Sequence, residues 1–251
     1  MPSVARISVT PVRTFRLGHP EEVELTERGV VENRRFMLVD AAGKRLRSSL
    51  TVWPVPVSAD WDPDAERLRV EIGGEVAEGS ARGRGDELAV EYRGRPLPMR
   101  VVEGPWTELL SRLHGSPVRI VRPEEPGQLQ EAPVTLVSRA SLARLEREAG
   151  RAVDARRFRM LFDLDGCGVH EEDTWSDRRV RIGGAVVRVG GGVGRCAVTT
   201  RDPDTGVRDL DTLRLLRAYR EPLADGEIPF GVYAVVEQPG VVRVGDEVTP
   251  L

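Results

Sequence analysis

The most informative stretch of the chain covers residues 190–206 and reads Gly-Gly-Gly-Val-Gly-Arg-Cys-Ala-Val-Thr-Thr-Arg-Asp-Pro-Asp-Thr-Gly. Four of its first five residues are glycine, which lets the backbone approach a neighbour closely and permits positive φ. Cys196 follows, with Arg195 beside it and Arg201 five residues further on. Fixed positive charges favour the thiolate, the form that binds metals and attacks electrophiles. Cys196 is therefore the candidate reactive group, and the alternative is a reduced cysteine packed in a hairpin.

The residues that follow Cys196 have strand and turn chemistry. Residues 197–200 read Ala-Val-Thr-Thr, which predicts a short strand that begins at Cys196. Residues 202–206 read Asp-Pro-Asp-Thr-Gly, a turn in which Asp202 bonds its own backbone, proline presets φ and Gly206 takes a left-handed conformation. We therefore expect Cys196 to be held in place by a well-defined turn.

The composition is that of a globular protein. The chain has 251 residues, of which 40% are hydrophobic and 31% charged. A net charge of -3 gives no electrostatic reason to expect nucleic acid or a membrane surface as a partner. Cys167 and Cys196 are the only cysteines, which indicates a reducing compartment rather than a disulfide scaffold. No apolar run is long enough for a membrane span and the N-terminus has no apolar signal core, so we expect a cytoplasmic protein.

The fold class predicted from the pattern is mainly β (α+β), with barrel-like sheets and a few packed helices. The predicted strands cover residues 4–12, 22–25, 34–40, 66–72, 87–92, 97–103, 117–122, 134–137, 158–164, 179–182, 185–189, 196–200, 231–236 and 241–248. The predicted helices cover residues 105–115, 138–150 and 211–219. A Gly- and Arg-rich loop is expected at 78–86. We place a soft domain boundary that gives domains 1–122 and 123–251.

The sequence gives little support for a zinc site, a nucleotide or phosphate site, or a serine hydrolase. Its three histidines are scattered, and the paired Cys or His spacings of a zinc site do not occur. The glycine run lacks the strand and helix context of a dinucleotide site and the GK[ST] ending of a phosphate loop. No G-x-S-x-G elbow supports a serine hydrolase. Residue chemistry alone therefore offers Cys196 and a large number of arginines.

Segments spread over almost the whole chain carry a resemblance to a known family. In order they are Pro11-Val12-Arg13-Thr14, Arg35-Phe36-Met37-Leu38-Val39, Leu136-Val137-Ser138-Arg139-Ala140-Ser141-Leu142, Arg157-Phe158-Arg159, Glu172-Asp173-Thr174-Trp175, Arg195-Cys196 with the Asp-Pro-Asp-Thr-Gly turn, the 212–220 helix and Phe230-Gly231-Val232-Tyr233. Through them the chain resembles the MOSC-domain proteins, which bind molybdenum cofactor. It is most similar to bacterial relatives of the mitochondrial amidoxime reducing component, which carry an N-terminal β-barrel domain before the MOSC domain.

The resemblance implies a molybdenum cofactor whose metal is ligated by the thiolate of Cys196, a soft ligand suited to a transition metal. The positions that match the family's cofactor contacts are Arg13, Thr14, Arg35, Arg159, Gly194, Arg195, Cys196 and Tyr233. Guanidinium groups suit the cofactor's phosphate because they donate two parallel hydrogen bonds. Two positions depart from the family pattern, with Leu161 and Gly194 standing where polar residues are common. Cys167 is interpreted as structural, because Gly166 and Gly168 place it in a turn without nearby fixed charge.

The activity that the resemblance implies is reduction of N-hydroxylated compounds such as amidoximes and hydroxylamines. The sequence contains no cysteine set for an iron–sulfur cluster. The electrons are therefore expected from a separate partner, namely a ferredoxin, a flavodoxin or a flavin or cytochrome reductase. Two alternatives stay open: a sulfurtransferase that carries a persulfide on Cys196, and a non-catalytic carrier of the molybdenum cofactor.

Overall fold

The computed structural model describes residues 1–46, 56–83 and 85–251 of the chain. Its strands are β1 (Ser3–Ile7), β2 (Glu22–Leu25), β3 (Met37–Asp40), β4 (Ser58–Asp62), β5 (Arg67–Ile72), β6 (Glu75–Ser80), β7 (Glu87–Tyr92), β8 (Arg95–Val102), β9 (Val118–Pro123), β10 (Val134–Ser138), β11 (Phe162–Asp165), β12 (Arg179–Ile182), β13 (Ala185–Arg195), β14 (Ile228–Gln238), β15 (Gly240–Arg243) and β16 (Val248–Pro250). The α-helices are α1 (Trp106–His114), α2 (Arg139–Ala149) and α3 (Thr212–Arg217). Short 3-10 helices cover Ala155–Phe158, Glu171–Trp175 and Ala197–Thr200.

A seven-stranded sheet with the order β1-β11-β10-β14-β13-β12-β16 forms the larger part of the molecule. β1 comes from the N-terminus and pairs antiparallel with β11, whereas β10 and β11 pair in parallel. The parallel pair requires a crossover, which α2 provides between the two strands. Ser138 caps α2 by accepting a hydrogen bond from the backbone N–H of Ser141, and Gly150 ends the helix in a left-handed conformation.

The smaller part of the molecule is built from the strands between β3 and β9. One sheet has the order β3-β9-β8-β7 and another has the order β4-β5-β6. Phe36 and Trp106 are fully buried in the core between them, where α1 packs its apolar stripe. The N-terminal segment also contributes to the other part, because β1 joins the large sheet and β2 pairs with β15. The division into domains 1–122 and 123–251 stays a prediction.

The fold class is as expected, since the molecule is mainly β with a few helices and forms a nearly closed barrel-like sheet and a half-barrel. All three predicted helices are present. Among the residues that the structure describes, the longest α-helix has 11 residues and no helix is long and apolar enough to cross a membrane.

Several expected segments differ from the structure. The strands expected over 4–12 and 34–40 are shorter, since β1 ends at Ile7 and β3 begins at Met37, and the strand expected over 241–248 is divided between β15 and β16. Residues 197–200 form a 3-10 helix instead of a strand, so Cys196 follows a strand rather than beginning one. The strand expected over 158–164 begins only at Phe162, because a 3-10 helix ends at Phe158. The loop expected at 78–86 starts later, since β6 continues to Ser80, and Arg84 lies outside the described residues.

Candidate functional site

A cleft between the two parts of the molecule gathers most of the residues singled out in the sequence. Seven of them line it: Arg13, Thr14, Arg159, Gly194, Arg195, Cys196 and Tyr233. They come from four places in the chain that are far apart in sequence. Arg13 and Thr14 lie on the loop after β1, Arg159 follows a 3-10 helix, and Tyr233 lies in β14. The long-range sheet pairing is therefore what brings them together.

Cys196 stands at the end of β13, where the chain turns into the 3-10 helix Ala197–Thr200. Its carbonyl accepts hydrogen bonds from the backbone N–H and the hydroxyl of Thr199, at 3.2 and 3.1 Å. The Thr199 hydroxyl lies 2.7 Å from that of Thr212, at the start of α3. The backbone of Cys196 is thus anchored, while its thiol is free and exposed in the cleft.

Two of the glycines before Cys196, Gly192 and Gly194, serve the chain's own packing. None of Gly190, Gly191, Gly192 and Gly194 has positive φ, contrary to expectation. A Cβ on Gly192 would lie 2.7 Å from the Cβ of Pro229, and one on Gly194 would clash with Glu227. The pairing of β13 with β14 shifts register around these glycines, so they permit a bulged strand to run close to its neighbour. Gly206 does adopt the expected left-handed conformation, with φ of 72°.

The two arginines that flank Cys196 in sequence are held by backbone carbonyls. Arg195 is buried and donates to the carbonyls of Phe230 and Phe158 at 2.9 Å each. Burial lowers the pKa of Arg195 to about 10, which leaves it charged at neutral pH. Arg201 donates to the carbonyl of Gly206 at 2.8 Å and so supports the turn. Arg195 also donates to the Sδ of Met160 at 2.6 Å. Both arginines thus donate to backbone carbonyls of their own chain.

Four residues of the cleft adopt positive φ without being glycine. The φ angles are 86° at Thr14, 53° at Arg34, 56° at Arg93 and 52° at Arg159. Such conformations are uncommon for residues with a Cβ and cluster at functional sites, where the surrounding structure enforces them. Arg34 and Arg159 are also linked directly, because Arg34 donates to the carbonyl of Arg159 at 2.9 Å. Three of the arginines that line the cleft therefore lie on left-handed backbone.

The positive charges of these arginines are poorly compensated by the protein. Burial, reinforced by the charge of Arg13, lowers the pKa of Arg34 to about 10. Burial, reinforced by Arg34 and Arg13, lowers the pKa of Arg159 to about 9. Arg159 donates to the carbonyl of Phe15 at 2.8 Å, which is a neutral partner. Repulsion among arginines in a partly desolvated cleft favours an anionic ligand.

Arg35 is the one predicted site residue that the structure places elsewhere. It is 6% exposed and donates to the carbonyls of Pro123 and Glu124, at 2.7 and 3.0 Å. Burial and the nearby charge of Arg122 lower its pKa to about 10. The adjacent residue, Arg34, lines the cleft in its place. The expectation that Arg35 lies with the other site residues is therefore corrected: the structure places it outside the cleft lining, next to Arg34, whose backbone is left-handed.

Sequence reasoning missed three further charged residues of the cleft: Arg93, Glu131 and Arg157. Arg157 belongs to the segment Arg157-Phe158-Arg159, which carries part of the family resemblance, and this segment could have identified it. It is 5% exposed and forms two hydrogen bonds of 2.7 Å with the carboxylate of Asp209. Arg93 and Glu131 form an ion pair at 2.8 Å. Nothing in the local sequence around either of them indicates a site.

Leu161, the other position that departs from the family pattern, and Cys167, the second cysteine, lie outside the cleft lining. Leu161 is 3% exposed and belongs to the hydrophobic core of the large sheet. Cys167 packs partly against the same core. Burial, together with the acidic groups of Glu171 and Glu172, raises the pKa of Cys167 to about 12. The expectation of no fixed charge near Cys167 is wrong, but these negative charges keep its thiol protonated.

Comparison with known proteins places the chain in a family. The sequence model of the MOSC domain matches residues 111–249. The human mitochondrial amidoxime-reducing component 1 is 34% identical over 98% of this chain and 82% of the human protein. The mouse protein of the same name is 40% identical over 47% of this chain, and the aligned part spans 36% of the mouse protein. Among solved structures, the YuaD protein from Bacillus subtilis is 10% identical, with a TM-score of 0.49, covering 99% of this chain and 94% of that protein. The chain belongs to the MOSC-domain family.

Proposed function

We propose that the chain is a molybdenum-cofactor-dependent reductase of N-hydroxylated compounds, such as amidoximes and hydroxylamines, that receives electrons from a separate protein. The observation that carries the proposal is the convergence of an exposed cysteine thiol and several arginines in one cleft. The relatives at 34% and 40% identity are named as amidoxime-reducing components, and their names suggest the reaction.

The donor set of the cleft fits an anionic, phosphate-bearing cofactor. Among the described residues that line the cleft, six are arginines and one, Glu131, is acidic. The Nε of Arg157 is buried and has no hydrogen-bond partner among the described residues. A buried donor without a partner is costly, and a ligand acceptor would remove that cost. Arg13, Arg34, Arg157 and Arg159 are the residues that would hold the cofactor's phosphate and pterin.

Cys196 would be the protein ligand of the metal. A thiolate is a soft ligand and suits a transition metal that is also bound by sulfur. The anchored carbonyl of Cys196 and the buried guanidinium of Arg195 fix the backbone on either side of the thiol. In this arrangement the residues of this chain would orient the cofactor.

When bound, the cofactor would supply the two-electron reduction in which R–NH–OH, two electrons and two protons give R–NH2 and water. The chain would contribute binding and orientation. The electrons would come from a ferredoxin, a flavodoxin or a flavin or cytochrome reductase. A cytoplasmic location is part of the same proposal.

The proposal is tested by expressing the full chain in a host that makes molybdenum cofactor. We expect molybdenum and pterin to copurify with the chain, and benzamidoxime to be reduced to benzamidine when reduced viologen is the electron source. Turnover with NADH alone is not expected. Cofactor content without turnover would indicate a carrier, and a persulfide on Cys196 in a molybdenum-free protein would indicate a sulfurtransferase. Either result would overturn the reductase assignment.

A further inference from the structure

Glu131 is chemically unlike the rest of the cleft. It is the acidic side chain among the described residues of a lining that contains six arginines. It lies in the loop before β10, and its side chain is 57% exposed. Glu131 therefore stands where a molecule that enters from solvent would meet it.

One neighbour holds the Glu131 carboxylate in place. Arg93, at the turn between β7 and β8, donates to its Oε2 at 2.8 Å. Tyr233, on β14, also lines the cleft, and burial together with the nearby Glu131 carboxylate raises the pKa of Tyr233, so its hydroxyl stays protonated. A carboxylate has about four acceptor positions, so the hydrogen bond from Arg93 leaves others for a ligand.

The other cleft arginines leave Glu131 available to a ligand. Four of them, Arg13, Arg34, Arg159 and Arg195, donate to backbone carbonyls. Arg157 is paired with Asp209, which is outside the lining. Arg93 is thus the cleft arginine that pairs with the cleft carboxylate. The cleft consequently has a cationic interior and, at its exposed side, an acceptor for N–H and O–H donors.

We propose that Glu131 determines the substrate class of the cleft, an inference that rests on the proposed reductase function. Its carboxylate accepts hydrogen bonds from the amino and hydroxyl groups of an amidine-type head group. An amidoxime or an N-hydroxyguanidine presents such donors side by side, which suits paired hydrogen bonds to one carboxylate. A tertiary amine N-oxide has no N–H or O–H donor. The cleft therefore selects amidoximes and N-hydroxyguanidines over tertiary amine N-oxides.

The test compares substrates in the cofactor-loaded full chain. Glu131→Gln keeps the shape of the side chain and removes its charge, and Glu75→Gln is the matched control, since Glu75 pairs with Arg112 on the surface and does not line the cleft. With reduced viologen, we expect the KM for benzamidoxime to rise at least about 10-fold in Glu131→Gln, because a hydrogen bond to a charged acceptor is lost. The KM for N,N-dimethylaniline N-oxide and all parameters of Glu75→Gln should change less than about twofold. Glu131→Asp should recover part of the loss.

A second measurement separates this inference from the proposed function. Calorimetric binding of benzamidine to the same proteins requires no turnover, and we expect it to weaken in Glu131→Gln by a factor similar to the KM change. If the wild-type protein binds benzamidine through Glu131 but reduces no N-oxygenated compound, the reductase function fails and the specificity role of Glu131 stands.

Three results would overturn the role of Glu131. The first is an equal KM shift for both substrates, which would indicate general damage to the cleft. The second is wild-type protein that does not bind benzamidine. The third is higher molybdenum and pterin content in Glu131→Gln, which would mean that the carboxylate occupies the position of the cofactor's own anionic groups.

Discussion

At the residue scale, the two cysteines of the chain differ in exposure and in the sign of the charges around them. Cys196 is exposed at the cleft, whereas Cys167 is partly buried beside Glu171 and Glu172. We expect Cys196→Ser to abolish benzamidoxime reduction and to change the visible spectrum of the metal, because a hard oxygen replaces a soft sulfur. Part of the molybdenum should be retained through the arginines. Metal analysis, absorption and turnover measure these effects.

Cys167→Ser is the control for that experiment. Since its pKa of about 12 keeps the Cys167 thiol protonated, we expect unchanged spectrum and turnover, with at most a small loss of stability. An active Cys196→Ser protein, or a folded but inactive Cys167→Ser protein, would show that the metal ligand has been assigned to the wrong cysteine.

Two adjacent arginines give a second matched pair of variants. Arg34 lines the cleft, while Arg35 donates to two backbone carbonyls near Pro123. Arg34→Ala should lower cofactor affinity about 10- to 100-fold, because a hydrogen bond to a charged group is worth about 1.5–3 kcal/mol. Arg35→Ala should leave cofactor content unchanged and lower the free energy of unfolding by about 1–3 kcal/mol, since it leaves buried acceptors without donors. Pterin and molybdenum content measures the loss of cofactor in each variant, and urea unfolding measures the loss of stability. If Arg35→Ala lost cofactor and Arg34→Ala did not, Arg35 would be assigned to the site instead.

At the element scale, the packing of β13 against β14 requires glycine at some positions of the glycine run and not at others. A Cβ at position 192 would lie 2.7 Å from the Cβ of Pro229, whereas one at position 191 would have nothing within 4 Å. We expect Gly192→Ala to destabilise the protein by about 1–3 kcal/mol through overpacking. Gly191→Ala should be neutral or stabilising by about 0.5–1 kcal/mol, because alanine is the better strand residue at ordinary φ. Equal melting temperatures for the two variants would contradict this account.

The residues around Cys196, at the end of β13, show how much of the site could be predicted from the local sequence. The glycine run, Cys196 and the turn with Gly206 are evident in the sequence, and Gly206 has the expected conformation. The β-rich composition of residues 197–200 suggested a strand, but this segment forms a 3-10 helix that is tied to α3 through Thr199 and Thr212. A tertiary contact of this kind overrides the intrinsic preference of four residues. The local pattern therefore identified residues that line the cleft, but its prediction of a strand after Cys196 was wrong.

The side chains that enter the cleft were harder to predict than the segments that carry them. Thr14, Arg34, Arg93 and Arg159 adopt positive φ, and no glycine in the sequence marks those positions. Arg34, rather than its neighbour Arg35, lines the cleft. Arg93 and Glu131 meet only because a turn of the smaller part of the molecule approaches the loop before β10. Pairings over such sequence distances have no local signature.

At the scale of the whole molecule, the first strand belongs to the sheet of the second half. β1 pairs with β11, and Arg6 of β1 forms a salt bridge with Asp163 of β11. Asp163 is 2% exposed, and burial raises its pKa despite the opposing charges of Arg6, Arg139 and His19. This ion pair therefore connects the N-terminus to the sheet that carries Cys196.

Removal of Arg6 should lower the free energy of unfolding, and this loss should be larger at neutral pH than at acid pH. A carboxyl group with a raised pKa binds its proton more readily in the folded state than in the unfolded state. Its burial therefore costs nothing below its unfolded pKa of about 4, and the cost grows as pH rises through its folded pKa. In Arg6→Met the Asp163 carboxylate is left without its main partner. We expect a loss of about 3–5 kcal/mol at pH 7 that shrinks as pH falls toward 4.

Urea unfolding of the wild type and of Arg6→Met between pH 4 and pH 8 measures this dependence. The double variant Arg6→Met/Asp163→Asn removes the buried charge altogether, so it should recover much of the stability at pH 7 and show no such slope. A deficit in Arg6→Met that stays constant with pH would mean that Arg6 acts through packing of its alkyl chain. In that case the charge of Asp163 would contribute little to joining the two ends of the chain.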